Sequence, residues 1–132
     1  MAYDKNAVAL QNIIRYCDKT SEAQKRFGLS FDAFVRDSDY QSCCSMYVFQ
    51  ISEKSNHLSD ALKAAYPHIP WQKIRGMRNI LAHNYEAVQT ERLWETMQSD
   101  LPKLREDCLR ILTGLGHEYN PADQDGETLG EV

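Results

Sequence analysis

Residues 71–88 read WQKIRGMRNILAHNYEAV, a stretch that joins an apolar helical pattern to an unusual polar face. Its large apolar side chains recur every three or four positions, as on the buried face of a helix. These residues are Ile74, Met77, Ile80 and Leu81. The opposite face gathers side chains that can bind a phosphate or carry a proton, namely Arg75, Arg78, Asn79 and His83. The small Ala82 lies among them, so another surface can approach closely.

The polar face is suited to cleaving a phosphodiester bond without a metal ion. Histidine exchanges protons near neutral pH, and arginine provides a planar, permanently charged fork for the phosphate oxygens. In RNA the 2′-hydroxyl group can act as the internal nucleophile, so the protein need not supply one. Tyr85, two positions after His83, can hydrogen-bond a phosphate or stack on a base. A solvated helix face carries the same residue types, so the spacing alone leaves a purely structural role open.

The composition indicates one globular domain with an acidic end. The chain has 132 residues, of which 42% are hydrophobic and 26% are charged, and its net charge is −4. From Gly116 onward there are five acidic residues and no Lys or Arg, so residues 1–115 hold 15 basic and 14 acidic residues and sum to +1. We predict a helical domain over residues 1–115 and a disordered acidic tail over residues 116–132.

The sequence gives no sign of membrane insertion or secretion. Its apolar runs are shorter than the roughly 18 residues that a membrane span needs. The first residues, MAYDKNAVAL, lack the basic and apolar regions of a signal peptide, so we expect a cytoplasmic protein. The cysteines form no C-x-x-C pair and fall on apolar helical stripes, which predicts reduced core thiols rather than a disulfide or metal framework. They are Cys17, Cys43, Cys44 and Cys108.

Apolar periodicity predicts four amphipathic helices. The first runs over about residues 5–26 and ends at Gly28, and an aromatic connector over residues 27–34 follows it. The second begins at an N-cap of Asp37 or Ser38 and continues for about seven turns to Ala65. The third begins near Pro70, because proline is tolerated in the first turn of a helix, and it carries the stretch quoted above.

The fourth helix contains a proline within its apolar pattern. Thr90 is its predicted N-cap, and Gly114 and Gly116 are its predicted end. Pro102 should kink it near residues 98–101, because proline lacks the N–H that a helix interior requires. Four helices with short connections predict an all-α, up-and-down four-helix bundle.

The spacing Arg78-x4-His83-x-Tyr85 resembles the R-x4-H-x-Y signature of HEPN-domain ribonucleases. The surrounding sequence is more closely similar to the HepT toxin branch of that superfamily, in which an R-N-x-L-A-H-x-Y core follows a helix start containing tryptophan. Here Trp71 takes the place of that tryptophan. The resemblance covers roughly residues 5–115 and leaves the acidic tail outside.

This resemblance implies a homodimer in which two copies of the motif face each other across a cleft that admits RNA. It implies a metal-independent ribonuclease, without a cofactor, that uses Arg78 and His83 as its catalytic pair. Arg75, Asn79 and Tyr85 are then expected to bind the substrate. It further implies a partner, a minimal nucleotidyltransferase antitoxin, that transfers AMP to Tyr85 and blocks the RNA site with added negative charge.

Two other interpretations stay open at this point. One is a non-catalytic HEPN module that binds nucleotides or a nucleotidyltransferase partner. The other is a purely structural helical dimer. RNA degradation in EDTA that depends on Arg78 and His83 would separate the ribonuclease from both.

Overall fold

The structure, a computed structural model, describes residues 4–80 and 87–121, and every regular element in these ranges is helical. The predicted all-α class is therefore confirmed. The elements in chain order are α1 (Lys5–Phe27), α2 (Phe31–Arg36), α3 (Ser38–Ser55), α4 (Asp60–Ala65), α5 (Trp71–Gly76), a 3₁₀ turn (Met77–Ile80), α6 (Ala87–Glu95), a π-helical segment (Thr96–Asp100) and α7 (Leu101–Gly114). Within the described ranges, no helix is both long and apolar enough to cross a membrane.

Helix α1 lies at the centre of the bundle and packs against both α3 and α7. Asp4 is its N-cap, with a carboxylate that accepts a hydrogen bond from the Ala7 N–H, and Gly28 ends the helix, as predicted for Gly28. Gly28 has φ of 131°, a conformation that side chains disfavour. The core around α1 excludes water almost fully, and its largest fully buried side chains include Tyr40, Phe34, Leu10, Ile13, Ile14, Ile51, Met97 and Leu112.

Helix α3 runs antiparallel to α1. Asp37 is its N-cap, as predicted, and accepts hydrogen bonds from the N–H groups of Asp39 and Tyr40. Tyr40, at the start of α3, stacks on Phe27 at the end of α1, with the ring centroids 5.2 Å apart. One apolar stripe of α3 thus covers one side of α1.

The predicted second helix is wrong in its length, since it breaks after Ser55 into α3 and α4. The Ser55 hydroxyl donates to the Ser52 carbonyl at 2.6 Å, and the following N–H groups bond three residues back rather than four. Ser59 then caps α4 by accepting from the Leu62 N–H at 3.1 Å. Asn6 of α1 stabilises this corner, because its side-chain oxygen accepts a hydrogen bond from the Ser59 N–H at 2.9 Å. Serine and asparagine side chains compete with helical backbone bonding, which explains the break.

The predicted aromatic connector contains a short helix, α2. Ser30 caps it by accepting from the Ala33 N–H at 3.1 Å. Phe34 is fully buried and meets Tyr40 edge-on, with the ring centroids 4.8 Å apart. Its ring also lies 5.3 Å from that of Trp94, so α2 joins α3 to α6.

The start of the fourth helix also differs from the prediction, because α6 begins at Ala87 and Thr90 lies inside it. No glycine or proline interrupts residues 87–90, so the helix extends one turn further upstream than the expected cap.

The backbone is irregular just before Pro102, at residues that overlap the predicted kink over residues 98–101. Pro102 has no N–H to give to the carbonyl four residues back, and the backbone widens into the π-helical segment Thr96–Asp100. The Leu101 N–H accordingly donates to the Thr96 carbonyl, five residues back. Helix α7 then continues to Gly114, and Gly116 with φ of 88° ends it, as predicted.

Residues 116–121 return along α1. The Gln11 side-chain amide donates to the Asn120 carbonyl at 3.0 Å, and His117 Nε2 lies 3.4 Å from Asp4 Oδ2. Burial, followed by the neighbouring Asp18 carboxylate, raises the pKa of Tyr119 to about 12. The division of the chain at residue 115 stays a prediction, and most of the predicted tail lies outside the described residues.

Candidate active site

The motif-bearing segment begins at α5, which is anchored to α4. The indole N–H of Trp71 donates to the carbonyls of Lys63 and Tyr66, at 3.2 and 3.1 Å. The α-helix ends at Gly76, and the chain tightens into the 3₁₀ turn Met77–Ile80. The predicted α-helix through the whole motif is therefore wrong. A 3₁₀ turn advances about 120° per residue, so Asn79 is rotated farther from Arg75 than on an α-helix.

The two faces of this segment are separated as the sequence predicts, as far as the structure describes them. Ile74 and Met77 point into the core, with 2% and 3% of their surfaces exposed. Arg75, Arg78 and Asn79 are exposed. The structure therefore places two guanidinium groups and one amide on the solvent side of one short segment. Their roles in binding or catalysis stay predictions.

Helix α3 holds this segment through two consecutive residues. The buried hydroxyl of Ser52 donates to the Arg75 carbonyl at 2.9 Å. The next residue, Glu53, pairs with Arg78, with 3.4 Å between Oε1 and Nη1. The backbone of one arginine and the side chain of the other are thus fixed to the same turn of α3. The sequence does not predict the roles of Ser52 and Glu53, because nothing local marks which residues of α3 face a segment about 25 positions away.

The remaining motif residues, Ala82, His83, Asn84 and Tyr85, lie outside the described residues. Of the proposed catalytic pair, the structure therefore describes Arg78 and not His83. Tyr85, the predicted modification site, is not located. Across residues 4–80 and 87–121, no three His, Cys, Asp or Glu side chains cluster closely enough to hold a metal ion.

A groove of about 510 Å³ lies beside the motif-bearing segment. One wall comes from α5 and the start of the 3₁₀ turn, and the other comes from α6 and the π-helical segment. The lining residues are Lys73, Gly76, Met77, Arg92, Glu95, Thr96, Ser99 and Asp100. A salt bridge of 3.1 Å between Lys73 Nζ and Asp100 Oδ1 joins the two walls.

Comparison with known families shows the family to which the chain belongs. The sequence model described as "Ribonuclease HepT-like" matches residues 10–111, which include the whole stretch 71–88. The chain belongs to the HepT-like ribonuclease family. The predicted HEPN superfamily and HepT-like branch are confirmed, and so, at the level of the family, is the predicted enzyme class.

Relatives of this HepT-like chain carry ribonuclease names. It is 30% identical over 103 residues to "Putative RNase TTE0752" of Caldanaerobacter subterraneus subsp. tengcongensis, and the match covers 78% of this chain and 90% of that protein. It is 31% identical over 77 residues to "Probable ribonuclease HepT" of Thermococcus cleftensis, and the match covers 58% of this chain and 70% of that protein. No solved structure matches the chain significantly.

A third relative contains a further unit. The chain is 36% identical over 89 residues to "Gamma-glutamylcyclotransferase and putative RNase MJ0434" of Methanocaldococcus jannaschii. The match covers 67% of this chain and 40% of that longer protein. The HepT-like unit therefore occurs in that relative as one part of a larger chain.

Proposed function

We propose that this HepT-like protein is a metal-independent endoribonuclease that cleaves RNA with Arg78, His83 and Tyr85. The observation that carries the proposal is the exposed pair of arginines on the motif-bearing segment of a family named for ribonuclease activity. Arg75 and Asn79, exposed on the same segment, are assigned to substrate binding.

The proposed reaction uses the RNA itself as nucleophile. A neutral His83 imidazole takes the proton of the 2′-hydroxyl while the bond between O2′ and phosphorus forms. A protonated imidazole then gives a proton to the 5′ oxygen as its bond to phosphorus breaks. The products are a 2′,3′-cyclic phosphate and a free 5′-hydroxyl, so atoms and charge balance without a metal ion.

Arg78 is assigned to the phosphate, where negative charge increases in the transition state. Its ion pair with Glu53 has a single contact at 3.4 Å, and 53% of the Arg78 side chain is exposed. An exposed pair of this kind contributes on the order of 0.5 kcal/mol, so an RNA phosphate can displace Glu53 from the guanidinium. Glu53 is assigned as a positioning residue that favours one placement of Arg78 before RNA binds.

The proposed protein is a cytoplasmic homodimer in which two copies of the motif face one RNA strand. It is also the toxin of a toxin–antitoxin pair. The proposed partner is a minimal nucleotidyltransferase that uses ATP. The Tyr85 phenol loses its proton to solvent as its oxygen attacks the α-phosphorus, the bond from that phosphorus to the bridging oxygen of the β-phosphate breaks, and pyrophosphate leaves. The resulting AMP group puts negative charge at the position that an RNA phosphate must occupy.

The decisive experiment compares variants on RNA in excess EDTA. Wild-type protein should degrade RNA, and Arg78→Ala and His83→Ala should reduce the rate by at least about 100-fold each. Arg36→Ala is a matched control, because Arg36 is also exposed and ion-paired, 3.1 Å from Asp32, but lies on α2. His57→Ala is the corresponding control for histidine. Equal activity in all five folded proteins would refute catalysis by this motif.

The modification is tested by co-expression with the nucleotidyltransferase of an adjacent reading frame. Intact-mass analysis should show an added AMP on wild-type protein and none on Tyr85→Phe. An adduct that persists in Tyr85→Phe would refute Tyr85 as the target.

A second function, a non-catalytic module that binds nucleotides, predicts different results. Nucleotides would raise the melting temperature of wild-type protein while RNA stays intact under the conditions above.

A further inference from the structure

The groove beside the motif-bearing segment has features of a site for a small polar ligand. Its volume of about 510 Å³ falls within the range of roughly 300–1,000 Å³ that is usual for such sites. Lys73, Gly76 and Met77 line it from the same segment that carries Arg75 and Arg78. The groove therefore adjoins the segment to which we assign the RNA phosphate, and neither Arg75 nor Arg78 is among its lining residues.

The π-helical segment shapes the opposite wall. Widened helical turns of this type occur frequently at functional sites. This one contributes Thr96, Ser99 and Asp100 to the lining, and α6 contributes Arg92 and Glu95. The two elements thus place two hydroxyl groups, two carboxylates and one guanidinium along one side of the groove.

The charges in the groove divide into one paired and one unpaired set. Lys73 and Asp100 neutralise each other across the two walls, at 3.1 Å. Arg92 and Glu95 are both exposed, and neither has an ion pair within 4.0 Å among residues 4–80 and 87–121. The groove therefore offers one cation and one anion to a ligand.

Gly76 keeps the groove open on the α5 side. A Cβ atom built at this position meets no other atom within 4 Å, and its backbone is helical. A larger side chain would therefore fit the backbone but occupy the space that a ligand needs.

We propose that this groove binds the guanosine of single-stranded RNA next to the bond that is cleaved. Arg92 contacts a phosphate of that nucleotide, and the Glu95 carboxylate accepts hydrogen bonds from N1–H and the N2 amino group of guanine. The inference rests on the proposed ribonuclease function, to which it adds a base preference.

The choice of guanine follows from hydrogen-bonding chemistry. A purely phosphate-binding site would be lined by cations, whereas the exposed Glu95 carboxylate of this groove can accept hydrogen bonds from a ligand. Guanine presents two adjacent donors that match the two oxygens of a carboxylate. Uracil offers a single N–H between two carbonyl oxygens, which a carboxylate repels. Single-stranded RNA exposes these base edges, so a side chain can contact them.

The first test maps the cleavage sites in a pool of RNA of random sequence. Wild-type protein should enrich guanosine at one position beside the cut, and Glu95→Gln should reduce that enrichment about five-fold or more, because one matched base contact is worth at least about 1 kcal/mol. Glu106→Gln, an exposed carboxylate of α7, is the matched control and should leave the pattern unchanged. Cleavage without a guanosine preference, or a preference that survives Glu95→Gln, would overturn the proposal.

A steric variant tests the groove itself. Gly76→Gln should fold, as checked by its melting temperature, but lose most cleavage and guanosine preference. Gly114→Gln is the control, because Gly114 is also helical with no atom within 4 Å of an added Cβ and lies at the end of α7. If Gly76→Gln is as active and selective as Gly114→Gln, the groove is not the binding site.

A binding measurement separates this inference from the proposed function. Guanosine 3′-monophosphate should shift the backbone NMR signals of Gly76, Arg92 and Glu95 more than uridine 3′-monophosphate does. Such shifts together with intact RNA would overturn the ribonuclease proposal and support base recognition by the groove. Cleaved RNA without selective shifts would overturn the groove and leave the ribonuclease in place.

Discussion

Arg78 of the motif-bearing segment lies 3.4 Å from a carboxylate oxygen of Glu53 on α3. This pair joins the residue that we assign to the RNA phosphate to a helix that the sequence motif does not include. We expect the Glu53 charge to have two opposing effects. It keeps the guanidinium in place before RNA binds, and it repels an incoming phosphate.

Replacing Glu53 should therefore separate the two effects. We expect Glu53→Gln to lower KM for RNA, because one negative charge near the phosphate is removed, and to lower kcat, because Arg78 is less well positioned. Each change should be about two- to ten-fold, as for a partly exposed charge. Steady-state kinetics on a defined RNA measures both. Asp32→Asn removes an exposed carboxylate paired with Arg36 on α2 and should change neither constant. A kcat and KM equal to those of wild type would show that the pair has no role.

Two buried serines of α3 provide a matched test of the anchoring of α5. Ser52→Ala leaves the Arg75 carbonyl without its hydroxyl donor at 2.9 Å, and should lower the free energy of unfolding by about 1 kcal/mol. Ser45 is also buried, but its hydroxyl has no hydrogen-bond partner in the part of the chain that the structure describes. Ser45→Ala should therefore be neutral or slightly stabilising. Urea denaturation of both variants checks the difference, and equal losses would contradict it.

Gly28 should tolerate no side chain. Its φ is 131°, and an added Cβ would lie 2.8 Å from the Cβ of Ala33. We expect Gly28→Ala to lower the free energy of unfolding by about 1–3 kcal/mol through backbone strain and this contact. Gly114→Ala, where an added Cβ meets no atom within 4 Å, should cost nothing measurable. Thermal melting of the two variants would refute the prediction if both lost equal stability.

The core thiols should make the fold sensitive to alkaline pH. Burial, with a smaller effect of Asp107, raises the pKa of Cys108 from 9.0 to about 12. Above about pH 9 the thiol is ionised in the unfolded chain but still protonated in the fold. Unfolding then releases a proton, so stability is complete below pH 9 and falls as the pH rises, by up to about 1.4 kcal/mol per pH unit.

The corresponding measurement is urea denaturation in a reducing buffer at several pH values between about 8 and 11. Cys108→Ala should be less stable than wild type at neutral pH, because it leaves a small cavity. Its stability should nevertheless decline less steeply above about pH 9. Equal slopes for the two proteins would contradict the assignment to Cys108.

The sequence predicted those features that depend on local chemistry. The caps at Gly28 and Asp37 obey residue preferences that act within one turn. The irregularity before Pro102 follows from one missing N–H group. The inward position of Ile74 and Met77 follows from helical periodicity. Each of these requires knowledge of only a few neighbouring residues.

The features that the sequence did not predict either leave the apolar periodicity unchanged or depend on tertiary contacts. The break after Ser55 keeps the apolar pattern in phase across residues 40–65, so periodicity alone cannot reveal it. The role of Glu53 follows from the packing of α5 on α3. The groove is formed by α5 with α6 and the π-helical segment, elements whose relative placement no local pattern specifies.

Arg75 and Arg78 are attached to neighbouring positions of α3. The alignment of the site therefore depends on how α3 packs in the hydrophobic core. A small slide of α3 along α1 would carry both arginines with it, even if the motif kept its own shape. Moderate heating that weakens the packing of α3 on α1 should therefore inactivate the enzyme while most of its helical content persists. The temperature of maximal activity should then lie well below the melting temperature.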